Sequence, residues 1–228
     1  MAHSRLYYNA LHEIVFSSNY PGYRPTVKEI PNGDGKVDAD KRFAHIAEKY
    51  LKDYGDEGAK KVLNAVLDEA HSLALKISRK LAVPEQFLPV RSYSNMRVLE
   101  YPVGAVSNLH TDFDLFTIMF YRDQPDCFVT QEKGLWNTDK DHTMQAWCNL
   151  DNARELNPQL HLGEMAEIIG LGPATPHEVV ASKTPQHSIV YFAIPDHKAV
   201  LPNGMTVGDW LVERMSRSRT GWTPVAYG

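Results

Sequence analysis

Residues 99–123 read LEYPVGAVSNLHTDFDLFTIMFYRD. A turn-rich stretch carrying Pro102, Gly104 and Asn108 passes into Phe116–Tyr121, which is largely β-branched and aromatic. Gly, Pro and Asn punctuate a chain, whereas Phe, Ile and Tyr suit a pleated, half-buried surface, so this stretch predicts a turn leading into strands. At the junction stand His110 and Asp112, and His177 follows 65 positions after Asp112. Residues two apart on a strand share a face. On a strand His110 and Asp112 would point together, and the distant His177 could complete a triangle of two imidazoles and one carboxylate. Such a triangle holds Fe(II) from one side and leaves the opposite coordination positions open. The plainer alternative is two satisfied buried histidines and an Asp112 that caps a turn.

From Pro89 onward, short β-rich runs alternate with Gly, Pro, Asn and Asp. The predicted strands are Tyr93–Tyr101, His110–Asp112, Phe116–Tyr121, Phe128–Gln131, Thr143–Asn149, His177–Val180 and His187–Ile194, a pattern that suggests a sandwich or jelly roll. The first third has helical spacing over Asp40–Tyr54 and Glu57–Leu81, with Val62, Ala65, Val66, Glu69, Leu73 and Ile77 marking the second helix. Gly55 stands between the two helices and Pro84 ends the second. Thr206–Arg217 predicts a closing helix. The expected fold class is mainly β with flanking helices: a distorted double-stranded β-helix, or jelly roll, backed by N-terminal helices. We expect one domain over 1–228, with a helical N-terminal part at 1–88, a jelly-roll core at 89–200, and a C-terminal helix and tail at 201–228.

The 228 residues, 43% of them apolar, suffice to bury a core. A net charge of −4 offers no electrostatic reason to expect nucleic acid or an anionic membrane as partner. Cys127 and Cys148 are too few for a disulfide framework, and a reduced cytoplasmic compartment is the simpler expectation. No signal-like N-terminus and no run of about 18 apolar residues is visible. Asn32–Lys41, NGDGKVDADK, invites comparison with a calcium loop, but Ile30 and Lys41 would fall where oxygen ligands are required. An Asp/Gly turn before a helix, capped by Asp38 or Asp40, fits better. His142, His161 and His197 have no partner at ligand spacing and are expected at the surface.

The segments MRVLEYP, HTDFDLFTIMF, ATPHEVV, HSIVYFAIPD and VGDWLVERMSR, in this order, resemble the isopenicillin N synthase-like branch of the Fe(II)/2-oxoglutarate oxygenases. The resemblance covers roughly residues 85–220. It implies that His110, Asp112 and His177 bind Fe(II), with O₂ and a small-molecule substrate as partners. The substrate would be an amino acid, a short peptide or another small metabolite, and the outcome hydroxylation, desaturation or cyclisation. A carboxylate at Asp112 excludes the related halogenases, which need a small residue there. For the co-substrate 2-oxoglutarate the resemblance implies Tyr101 and an Arg-x-Ser triplet, but this chain has Gln186-His187-Ser188. Gln186 donates hydrogen bonds without neutralising a carboxylate, a loss of about 2–4 kcal/mol. Arg97, on the strand face of Tyr101, and Lys183 are the candidate replacement cations; Arg97 could instead pair with Glu100. Asp114, Val190 and Phe192 are expected at the substrate pocket, although Asp114 could equally cap a strand. Two alternatives stay open: a 2-oxoglutarate-independent Fe(II) oxidase of the same fold, and a metal-free jelly-roll binding protein.

Overall fold

A computed structural model describes residues 9, 11–16, 23–27, 41–48, 57–130 and 159–218. Among these, nine strands run in two sheets: β1 (Tyr23–Val27), β2 (Lys41–Ile46), β3 (Asn95–Tyr101), β4 (Ser107–His110), β5 (Phe116–Arg122), β6 (Phe128–Thr130), β7 (Gln159–Leu162), β8 (His177–Val179) and β9 (Gln186–Ala193). The larger sheet has the order β1-β2-β3-β9-β5-β7 and the smaller β4-β8-β6. Every pairing is antiparallel. Helices α1 (Glu57–Lys80), α2 (Glu164–Ile168) and α3 (Val207–Ser218) flank them. The architecture is the expected one, mainly β with flanking helices in a jelly roll.

Strand alternation divides the larger sheet into two faces. One face carries Met96 and Val98 of β3, Ile118 of β5, and Ile189 and Tyr191 of β9, all buried in the main core. Against it lies α1, whose Leu63, Val66, Leu67, Ala70, Leu73, Ala74 and Ile77 recur at three- and four-residue intervals on one stripe. The true stripe is shifted from the expected one, since Val62, Ala65 and Glu69 are exposed. The helix closes on Ala82 at φ 53, where the Val83 amide donates to the Ser78 carbonyl at 2.9 Å. The opposite face gathers Leu99, Tyr101, Met119 and Val190 in a smaller apolar cluster beneath the three-stranded sheet.

The N-terminal part is not purely helical. Lys41–Ile46, inside the expected helix Asp40–Tyr54, is strand β2, paired with β3 from Arg42↔Glu100 to Ile46↔Met96. Cross-strand pairing outweighs local helical spacing there. Strand β4 also ends at His110, so Asp112 lies in the connection to β5 rather than on the strand. Strand β7 was not expected at all. The expected strand Thr143–Asn149, the Asn32–Asp40 turn, His142 and Cys148 lie outside the described residues. No helix among the described residues is long and apolar enough to cross a membrane.

Candidate metal centre and its cavity

His110 and His177 face each other as Cα partners across the β4–β8 pair. Each ring is fixed from behind: His110 Nδ1 donates to the Asn108 carbonyl at 2.6 Å and His177 Nδ1 to the Thr175 carbonyl at 3.0 Å. A carbonyl only accepts, so the proton sits on Nδ1 in both rings and each Nε2 keeps its lone pair. Those Nε2 atoms stand 3.9 Å and 3.8 Å from the Asp112 carboxylate oxygens. Such separations are too long for hydrogen bonds; donors about 2 Å from one ion and on the same side of it stand about 3 Å apart, so the three would close by about 1 Å to share one. One donor atom from each of the three residues lies within 4.8 Å of the others. The donor set, its spacing and its fixed tautomers fit a metal ion.

Asp112 is placed by three neighbours. Its carbonyl accepts the Glu164 amide at 2.9 Å, at the start of α2. Its Oδ2 accepts the Thr117 hydroxyl at 2.5 Å. Between it and His110, the Thr111 hydroxyl donates to Glu164 Oε1 at 2.5 Å. Glu164 is in turn gripped by both Nε and Nη2 of Arg214 from α3, each at 2.6 Å. Burial pushes the Asp112 carboxyl up, yet the imidazoles of His177 and His110 and the Thr117 hydroxyl outweigh it and hold the group below its ordinary value. Asp114 goes the other way: burial first, then the Asp112 charge, raise it well above the usual carboxylate range.

A cavity of about 770 Å³, counted to its open mouth, lies between the two sheets beside the triad. The register of the larger sheet lays its floor in rows. Tyr101 stands opposite Gln186, Leu99 opposite Ser188, Arg97 opposite Val190, and Thr117 opposite Phe192. All eight line the cavity together with His110, Asp112 and His177. Of the other expected residues, Lys183 is exposed and does not reach the cavity. Glu100 pairs with His12 at 2.9 Å. Asp114 is a correction: it does not line the cavity but is buried behind Asp112, its Oδ2 within hydrogen-bond distance of the Thr117 hydroxyl oxygen at 2.9 Å. Gln186 turns its amide to the Val180 carbonyl at 2.8 Å, tying β9 to the chain leaving β8. His187 is held by Asp123 at 2.7 Å.

His161 is the second correction. Expected at the surface, it is 1% exposed and lines the cavity, its ring 5.6 Å from that of His177. Burial, with repulsion from His177, pushes it down to about 3, so it is neutral. Its β7 position opposite Thr117 carries it there; the alternating QLHL at 159–162 was the signal available in the sequence. Thr117, Glu164, Arg214 and Arg122 were likewise not foreseen.

No protein-family model and no curated protein sequence matches this chain. Solved structures do. A putative oxygenase from Shewanella oneidensis superposes with a TM-score of 0.61 at 16% identity, covering 94% of this chain and 85% of the other. A full-length Neurospora crassa protein, solved in complex with alpha-KG and 5-formyluracil, gives a TM-score of 0.61 at 16% identity, with coverages of 96% and 83%. The dioxygenase for auxin oxidation of rice gives 0.56 at 14%, with coverages of 97% and 84%. At such identities the likeness establishes a shared fold, and chemistry has to be argued from the site.

Proposed function

We propose that this protein is a non-heme Fe(II) oxygenase of the isopenicillin N synthase-like branch, using 2-oxoglutarate and O₂ to oxidise a small molecule. The observation that carries the proposal is the triad, with two imidazoles locked in the ligating tautomer around one carboxylate. The fold shared with the Neurospora crassa protein, which was solved with alpha-KG, supports the choice of co-substrate. When bound, Fe(II) with 2-oxoglutarate supplies oxidation by O₂, turning the 2-oxo acid into succinate and CO₂ while the substrate gains oxygen or loses hydrogen.

The chain's own groups do the rest. His110, Asp112 and His177 would hold the metal at the edge of the cavity, where co-substrate and O₂ could reach it. Tyr101 and Ser188 offer hydroxyls and Gln186 its second amide proton to the co-substrate, while Arg97 lines the same cavity over the Phe192 ring. Val190 and Phe192 form an apolar wall that orients the substrate and keeps water from the reacting position. An amino acid, short peptide or other small metabolite is the substrate class that the family resemblance implies. The test is anaerobic loading with Fe(II) and 2-oxoglutarate, followed by O₂. Succinate formed by the wild type and abolished in His177→Ala is the expected result. O₂ uptake without succinate would favour the 2-oxoglutarate-independent oxidase, and no uptake with any candidate would point to a binding protein.

A further inference from the structure

Strand β5 carries an irregularity with a chemical consequence. Met119 pairs with Val190 and Tyr121 with Ile189, so two steps along β5 match one step along β9 and Phe120 is the extra residue of a bulge. Before the bulge, Ile118 points into the main core and Met119 to the cavity; after it, Phe120 and Tyr121 both lie in the main core. Strict alternation would send Arg122 to the core side with Ile118 and Phe120. The bulge reverses the phase, and Arg122 lines the cavity opposite Ser188.

We propose that Arg122 supplies the cation that β9 lacks, binding the distal carboxylate of 2-oxoglutarate beside Ser188. This rests on the 2-oxoglutarate function proposed above. Three observations carry it. Gln186 already spends one amide proton on the Val180 carbonyl and brings no charge. Arg122 shares a row with Ser188, whereas Arg97 shares the apolar row of Val190 and Met119 and lies over Phe192 at 4.8 Å. The Arg122 guanidinium lies over Phe128 at 5.2 Å, and Phe128 stacks on His177 at 5.1 Å, so a single aromatic ring separates the cation from a metal-facing histidine. A co-substrate chelating the metal at one end would thus reach Arg122 with the other. Among the described residues lining the cavity, Arg97 and Arg122 are the cations and Asp112 the acid, and a guanidinium is suited to gripping a carboxylate.

The test uses Mn(II)-loaded protein, with calorimetric affinities for 2-oxoglutarate and for oxalate. Oxalate carries the same charge and chelates the metal but has no distal carboxylate arm, so long-range attraction is matched between the two. We expect Arg122→Gln to weaken 2-oxoglutarate at least tenfold while changing oxalate less than twofold, Arg122→Lys to fall in between, and Arg97→Gln to change 2-oxoglutarate less than threefold. Mn(II) affinity and melting temperature check that each variant is folded; if Arg122→Gln does not fold, Arg122→Lys decides, with a threefold or greater loss confined to 2-oxoglutarate expected. Unchanged 2-oxoglutarate affinity in the folded Arg122 variants, an equal loss for oxalate, or the main loss in Arg97→Gln would overturn the assignment of Arg122 alone. A wild type that binds oxalate but not 2-oxoglutarate would overturn the co-substrate as well.

Discussion

Thr117 has one hydroxyl proton and stands between two carboxylates, Asp112 at 2.5 Å and Asp114 at 2.9 Å. It can donate to only one of them, so an ionised Asp114 would leave two oxygens facing each other without a proton. A protonated Asp114 resolves this by donating to the Thr117 oxygen, which donates to Asp112. Asp112 therefore stays ionised for the metal. Asp114→Asn, which keeps a neutral donor, should leave metal affinity within about threefold, whereas Thr117→Val should weaken it about 10- to 100-fold; competition titration with a metal indicator checks both. His161 gives a pH signature in the metal-free protein. Its folded value of about 3 lies below the ordinary 6.5, so between these limits the unfolded chain binds a proton that the folded chain does not. Stability is full above about pH 6.5 and falls as pH drops toward 3, by on the order of 1 kcal/mol per pH unit. Urea unfolding at pH 7 and pH 5 should show a smaller loss for His161→Gln than for the wild type. An equal loss would mean that His161 is not held neutral.

Helix α2 is short, yet its start fixes the metal loop. The amides of Glu164 and Met165 donate to the carbonyls of Asp112 and Asp114, and Gly163 donates to Leu115. A Cβ on Gly163 would overlap the Asp114 carbonyl and carboxyl oxygens. Gly163→Ala must therefore push the Asp112–Asp114 turn away, with a destabilisation of about 1–3 kcal/mol and a weakened metal site. Chemical unfolding alongside metal titration would check this; an unaltered metal affinity would show that the turn is placed by other contacts. Helix α3 braces the same loop through Arg214, which also lies over Phe113 at 4.7 Å. At this scale the sequence was readable where one signal dominated. Turn residues bounded β3, β5, β8 and β9, and apolar spacing found α1. Lys41–Ile46 was not readable, because its strand state comes from pairing with β3. Nor was the bulge at Phe120, which leaves no mark in composition and so hid the direction of Arg122.

Across the whole molecule, α1 closes one face of the larger sheet so that the other is free to form a cavity floor, and the smaller sheet hangs His110 and His177 above it. Asp112 joins them from the turn between β4 and β5. The three residues could be picked out beforehand because the segments around them resemble a known family, the H-x-D spacing alone being weak evidence, although Asp112 arrives from a turn rather than a strand. Arg122 could not, since the bulge that turns it to the cavity leaves no mark in a single sequence, and His161 left only the alternation of QLHL at 159–162. Iron content per chain after anaerobic reconstitution is the most direct measurement on this centre. About one Fe(II) per chain in the wild type, falling to background in a folded Asp112→Ala, is the result expected from two neutral imidazoles and one anionic ligand. A wild type that binds no iron, or an Asp112→Ala chain that binds as much as the wild type, would contradict it.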